Sequence, residues 1–115
     1  MIPFKNRFHG HNSLSFVYKN GKSVRSRFFN LKYINNQNRK NSRLVVVVSK
    51  KVIKSAVKRN RIRRRVYEVL RHQIENIAAT HDLVIIILSS EVLEAPHQDL
   101  KNQVNQLFTE AGITK

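Results

Sequence analysis

The chain has 115 residues, 41% of them hydrophobic, with 3 Gly, 2 Pro and no Cys, which predicts one small soluble domain around a single core and excludes disulfides, thiolate metal sites and a Cys nucleophile. Its 22 Lys and Arg against 7 Asp and Glu give +15, and the signs are segregated: residues 1–67 carry 19 cations and no acid, the remainder 3 cations and 7 acids. Charge this uneven repels itself unless a polyanion binds, so nucleic acid is the leading partner before any motif is read.

In chain order, Asn12 followed by Leu14, Phe16, Val17 and Tyr18 predicts a short helix, capped by Asn12 or Ser13 and stopped by Gly21. From Ser23 to Tyr33 the period changes: Phe29, Leu31 and Tyr33 alternate with Phe28, Asn30 and Lys32, a strand with one face on the core and one more open. The Asn-rich stretch from Asn35 to Ser42 is polar and reads as an exposed connection between strands. Leu44 to Ser49, with four consecutive valines, predicts a second strand. The spacing then predicts a long helix from about Ser55 to Ala79. On its wheel Ile62, Val66, Val69, Leu70, Ile74 and Ile77 share an arc of roughly 140°, and cations fill most of the rest. Leu83 to Leu88 is a third, buried strand, and Pro96 opens a final helix with the stripe Leu100, Val104, Leu107, Phe108 and Ala111 and Gly112 as its stop. The order α-β-β-α-β-α in so short a chain implies an α/β sandwich, helices against one sheet. No apolar run approaches the ~20 residues of a membrane span. The start MIPFKNRFHG lacks a signal-peptide core, and the lack of Cys suits a reducing cytoplasm.

Residues for protein-based catalysis are sparse. His9 and His11 form an H-x-H pair with no third ligand near in sequence, His81 beside Asp82 has no nucleophile to serve, and Glu91 and Glu94 read as a solvated loop. Gly10, Gly21 and Gly112 are too scattered for a phosphate cradle. The dense feature is Ser49 to Arg71, SKKVIKSAVKRNRIRRRVYEVLR. In it Lys50, Lys51 and Lys54 lead into a helix that presents Lys58, Arg59, Asn60, Arg61, Arg63, Arg64 and Arg65. Packed like charges weaken a helix by tenths of a kcal/mol per pair, and cations at its positive N-terminal end add to that. Bound phosphates reverse both effects, and arginine offers phosphate a forked set of donors. A membrane surface fits less well, since these stretches lack a long apolar face. A DNA major-groove reader lacks its helix-turn-helix or dimer seam, while a structural RNA-binding protein, such as a ribosomal one, fits the composition equally.

Ala56, Arg59, Asn60, Arg61, Ile62, Arg63 and Arg64 closely resemble the A-x-x-R-N-R-x-K-R signature of the bacterial ribonuclease P protein component. Asn6 to Phe8, Tyr18-x-x-Gly21, the R-x-F-x-L of Arg27, Phe29 and Leu31, Ser49 to Lys51 and the Asp82-led strand follow in that family's order, so the resemblance covers nearly the whole chain. It implies a ribosomal protein S5 domain 2-like α/β sandwich with a left-handed crossover through the R-N-R helix. It further implies a cytoplasmic subunit that joins the catalytic RNA one to one and assists removal of the 5′ leader of precursor tRNA. Magnesium held mainly by the RNA does the cutting, and no protein residue is catalytic. Carried over by position, Lys50, Lys51, Lys58, Arg59, Asn60, Arg61, Arg63, Arg64 and Arg65 are expected to contact the catalytic RNA. Leu14 and Tyr18 from the helix, with Phe28, Asn30 and Lys32 from the strand, are expected to line the leader cleft, where aromatic rings stack on bases and lysine holds phosphate. Three positions depart from the pattern: Val45 where Gly is common, Arg63 for a usual Lys, and Tyr67 at a usually basic position, whose lost phosphate contact Arg65 is expected to supply.

Overall fold

A computed structural model describes residues 11–35, 41–78 and 80–114. The expected N-R-F at residues 6–8, His9 and most of the Asn-rich connection lie outside them. The first helix, α1 (His11–Asn20), starts before Asn12 and Ser13, so the cap expected at those residues falls inside its first turn. Gly21 does end it, and the reason is a close approach: its N–H donates to the Val17 carbonyl at 2.8 Å, and a Cβ would lie 2.6 Å from that oxygen and 3.0 Å from the Tyr33 oxygen.

The strand expected from Ser23 to Tyr33 is in fact a hairpin, β1 (Lys22–Arg25) and β2 (Phe29–Asn35), so the sandwich has one strand more than the sequence predicts. Its tight turn lacks the Asn-Gly or Asp-Gly pair that signals such loops, and no residue in it takes a positive φ. Tertiary contacts hold it instead. Gln103 accepts from the Phe28 N–H at 3.0 Å and from the Ser26 hydroxyl at 2.9 Å, while Ser26 N–H donates to the Phe29 carbonyl.

The valine run forms β3 (Arg43–Val47), followed by α2 (Ala56–Gln73) with Ser55 as its N-cap, and β4 (His81–Ile87) takes the third apolar run. The final helix α3 (His97–Ala111) stops at Gly112, whose φ of 70° is a left-handed value that suits glycine. The long helix ends earlier than its apolar stripe suggests: a 3-10 turn covers Ile74–Asn76, and Ile77 bridges to Thr114. The sheet order is β1-β2-β4-β3, antiparallel except that β3 and β4 run parallel with α2 between them.

Side-chain alternation across this register gives the sheet two unlike faces. Phe29, Leu31, Leu44, Val46, Leu83, Ile85 and Ile87 pack with Ile62, Val66, Leu70, Leu100, Val104, Leu107 and Phe108 of α2 and α3 in one apolar cluster. On the opposite face the rows Ser23–Lys32–Val84–Val45 and Arg25–Asn30–Ile86–Val47 lie side by side. There α1 packs against β2 and β4 and buries Val17, but Val45, Val47 and Ile86 keep partial exposure.

Candidate nucleic-acid interface

Two surfaces carry the residues singled out from sequence. The first is the cleft between α1 and the open sheet face. Tyr18 is 38% exposed, and the Lys32 ammonium stands 5.5 Å from the centre of its ring, so β2 and α1 meet through a cation–π contact at the cleft wall. Burial raises the Tyr18 phenol above its ordinary pKa, so it stays a neutral donor. Asn30 accepts from the Ser23 hydroxyl at 3.2 Å, which orients its amide, and Leu14 is half-buried beside Val17 on the same helix. Val45, Val47 and Ile86 add an apolar floor that sequence reasoning missed. Their alternation with Leu44, Val46, Ile85 and Ile87 is invisible in runs that are apolar at every position.

Phe28 does not belong to this cleft. It precedes β2, in the hairpin turn, at 3% exposure, with its ring edge-on to Phe29 and the Arg27 guanidinium 5.3 Å above it. The alternation that groups it with Asn30 and Lys32 breaks at the turn.

The second surface runs from the end of β3 along α2. Ser49 closes a turn by accepting from the N–H groups of Val52 and Ile53, which displays Lys50 and Lys51 at its tip. Lys54, Lys58, Arg61 and Arg64 are exposed, and among the described residues no acid pairs with them. Arg63 donates to the Asn60 side-chain oxygen at 2.6 Å, fixing the amide and guanidinium of the R-N-R stretch together. Arg59 has a double position: one terminal nitrogen donates to the Ile53 and Lys54 carbonyls, at 3.1 and 2.6 Å, tying the lysine turn to the first turn of α2.

Arg65 leaves this surface. It is half-buried and donates to the carbonyls of Val92 (2.6 Å), Leu93 (2.9 Å) and Ala95, clamping the 3-10 turn Ser90–Leu93 and its exit. It therefore does not stand in for a phosphate contact missing at Tyr67. Tyr67 itself is buried, outside the arc expected for the core stripe, and its hydroxyl accepts the Val46 N–H at 3.1 Å, satisfying an amide of the edge strand β3. The departure from a basic residue there has a structural purpose, since a buried edge amide left unpaired costs about 1–3 kcal/mol.

Among the described residues no three carboxylates or imidazoles gather where they could hold a metal ion, and no helix is long and apolar enough to cross a membrane. The geometry is that of a cation-rich helix beside a half-open, part-aromatic groove, a combination suited to RNA backbone on one side and an unpaired strand on the other.

Known proteins match this arrangement. A family model for ribonuclease P matches residues 2–112. The chain is 29% identical, over 98% of its length and 97% of the relative's, to the ribonuclease P protein component of a Pseudanabaena species. It is 37% identical to that of Coxiella burnetii over 82% of its length and 75% of the relative's. Its fold is similar to the solved RNase P protein of Staphylococcus aureus, with a TM-score of 0.82 and 25% identity over 96% of this chain and 98% of that one. The RNase P protein of Thermotoga maritima is also similar, at a TM-score of 0.76 and 27% identity over 88% and 94%. With the ordered motifs, the sheet topology and the family model in agreement, the chain belongs to the bacterial ribonuclease P protein component family.

Proposed function

We propose that α2 and the lysine turn before it dock on the catalytic RNA of ribonuclease P, while the cleft between α1 and the sheet holds the 5′ leader of precursor tRNA. The observation that carries this reading is the set of exposed cations Lys50, Lys51, Lys54, Lys58, Arg61 and Arg64, which have no acidic partner among the described residues. Arg63 and Asn60 join them as a pre-oriented pair, and the outer nitrogens of Arg59 add to the same surface. In the cleft, Tyr18 and Leu14 offer surface for a base, Lys32 neutralises phosphate and the Asn30 amide hydrogen-bonds a base edge or 2′-hydroxyl.

As a protein component of ribonuclease P, the chain serves tRNA 5′ maturation without supplying the cutting group. Magnesium is assigned to the RNA, and the protein's part is to neutralise phosphate and raise leader affinity, which lowers the magnesium needed. A cytoplasmic ribonucleoprotein with one protein per RNA follows from the same reading. The test is cleavage of a precursor tRNA by a bacterial ribonuclease P RNA at low magnesium, with the protein, without it, and with the protein alone. Rescue by the complex and no cleavage by the protein alone is the expected result. Tight, salt-sensitive RNA binding without rescue would point instead to a structural RNA-binding role.

A further inference from the structure

Among the described residues, the acidic second half of the chain has a basic place. Only three cations follow Tyr67. One of them, Lys101, lines a cavity of about 430 Å³ between the end of α2 and the start of α3, together with His72, His97, Gln73 and Val69. A second, Arg71, precedes His72 on α2. No acidic side chain lines the cavity. Glu68, one turn before His72 on α2, is held by Arg71 at 2.7 Å and approached by His72 at 3.4 Å. His72, His97 and Lys101 are all exposed, and neither His97 nor Lys101 has a side-chain partner among the described residues.

The cavity also continues the helix face already described. Arg61, Arg64, Glu68, Arg71 and His72 recur at three- and four-residue intervals and are all exposed, so they form one outer stripe on α2. From Arg61 to His72 the stripe spans roughly 16 Å at 1.5 Å per residue. A polyanion lying along it from the R-N-R end arrives at the α2–α3 cavity, where the donors come from two helices at once.

We infer that His72, His97 and Lys101 form a distal anchor for the phosphate backbone of the catalytic RNA, separate from the R-N-R surface. The inference rests on the reading of α2 as an RNA-contacting helix. Lys101 supplies a full charge and the two imidazoles supply N–H donors to phosphate oxygen. The Val69 side chain that also lines the cavity is buried and offers no competing acceptor.

The test compares His72→Gln/His97→Gln/Lys101→Gln with Arg61→Ala, each titrated with a bacterial ribonuclease P RNA across a salt series and mapped by hydroxyl-radical protection of the RNA backbone. Circular dichroism checks that both variants fold. The triple variant is expected to bind about 5–10-fold more weakly, with a salt slope shallower by about 1 for the lost lysine contact. It should lose protections at nucleotides different from those lost with Arg61→Ala. Binding within twofold of the parent with an unchanged slope, while Arg61→Ala weakens, overturns the distal anchor and leaves the R-N-R reading standing. Loss of the same protections in both variants also overturns it, because the effect is then general electrostatics. If Arg61→Ala itself changes neither affinity nor slope, the reading of α2 as the RNA helix falls, and the anchor falls with it.

Discussion

Arg64 and Arg65 are neighbours in the chain and point to different tasks. Arg64 is exposed on the outer stripe of α2 with no partner among the described residues, while Arg65 reaches across to three carbonyls in the segment after β4. Arg43, at the start of β3, goes further inward still. It is 5% exposed and grips Asp82 of β4 with two hydrogen bonds, Nε to Oδ1 at 2.9 Å and Nη2 to Oδ2 at 2.7 Å. The comparison teaches that a basic chain uses its arginines in two ways. Some, such as Arg43 and Arg65, fasten the strands and turns of the protein to one another, and others, such as Arg61 and Arg64, stand outward where a phosphate can reach them. Density of positive charge in sequence therefore overstates the RNA-facing set.

The largest effect expected on the inward side is at the Arg43–Asp82 pair. Removing one partner of a buried, bidentate pair leaves the other charge uncompensated, and Asp82→Asn should lower unfolding stability by about 3–5 kcal/mol. Denaturant titration measures it; a loss under about 1 kcal/mol, the range of surface pairs, would mean that the pair is effectively solvated. Arg65→Ala comes next. Its carbonyl partners lose charge-assisted donors, so a loss of roughly 1.5–3 kcal/mol is expected, with the slope of RNA affinity against salt unchanged. Arg64→Ala should do the reverse: stability within about 0.5 kcal/mol of the parent, and a salt slope shallower by about 1. If Arg65→Ala flattens the slope and Arg64→Ala unfolds the protein, the division between the two flanks of α2 is wrong.

How far the division was legible beforehand depends on whether the partner of each group is local. The apolar stripe Ile62, Val66, Val69 and Leu70 was readable because helix periodicity fixes which side is buried, and the structure buries all four. The stop at Gly112 was readable for the same reason: it depends on the conformation of one residue. Arg65 was not, because its acceptors lie 27 to 30 residues away on a segment whose path is set by packing. The hairpin was missed on similar grounds, its turn being held by Gln103 from α3 and not by turn residues. Tyr67 read as a lost cation because nothing local reveals that its hydroxyl reaches an edge amide of β3. Tyr18 and Lys32, which the family resemblance alone places on one cleft, meet through a cation–π contact, whereas a strand read straight through its turn puts Phe28 on the wrong face.

Glu68 is the smallest and most diagnostic case, an acid set in the outward stripe. Partial desolvation pushes its carboxyl up, but Arg71 and His72 together outweigh this and hold it below the ordinary glutamate range. A carboxyl depressed in the folded state contributes stability above its unfolded pKa, and that contribution is lost as the pH falls through the folded value. Glu68→Gln should therefore melt slightly below the parent near neutrality, and the gap should close as acid protonates the parent's carboxyl. The same change removes the stripe's one acid between Arg64 and Arg71 and releases both Arg71 and His72, so affinity for the catalytic RNA should rise by roughly twofold, most visibly at low salt. The two readouts move in opposite directions because the arginine and histidine that hold Glu68 in the free protein become available to phosphate once it is gone. A melting gap that persists in acid, or RNA affinity that falls in the variant, would place Glu68 on the protein's inward side with Arg65 and shorten the outward stripe to its R-N-R end.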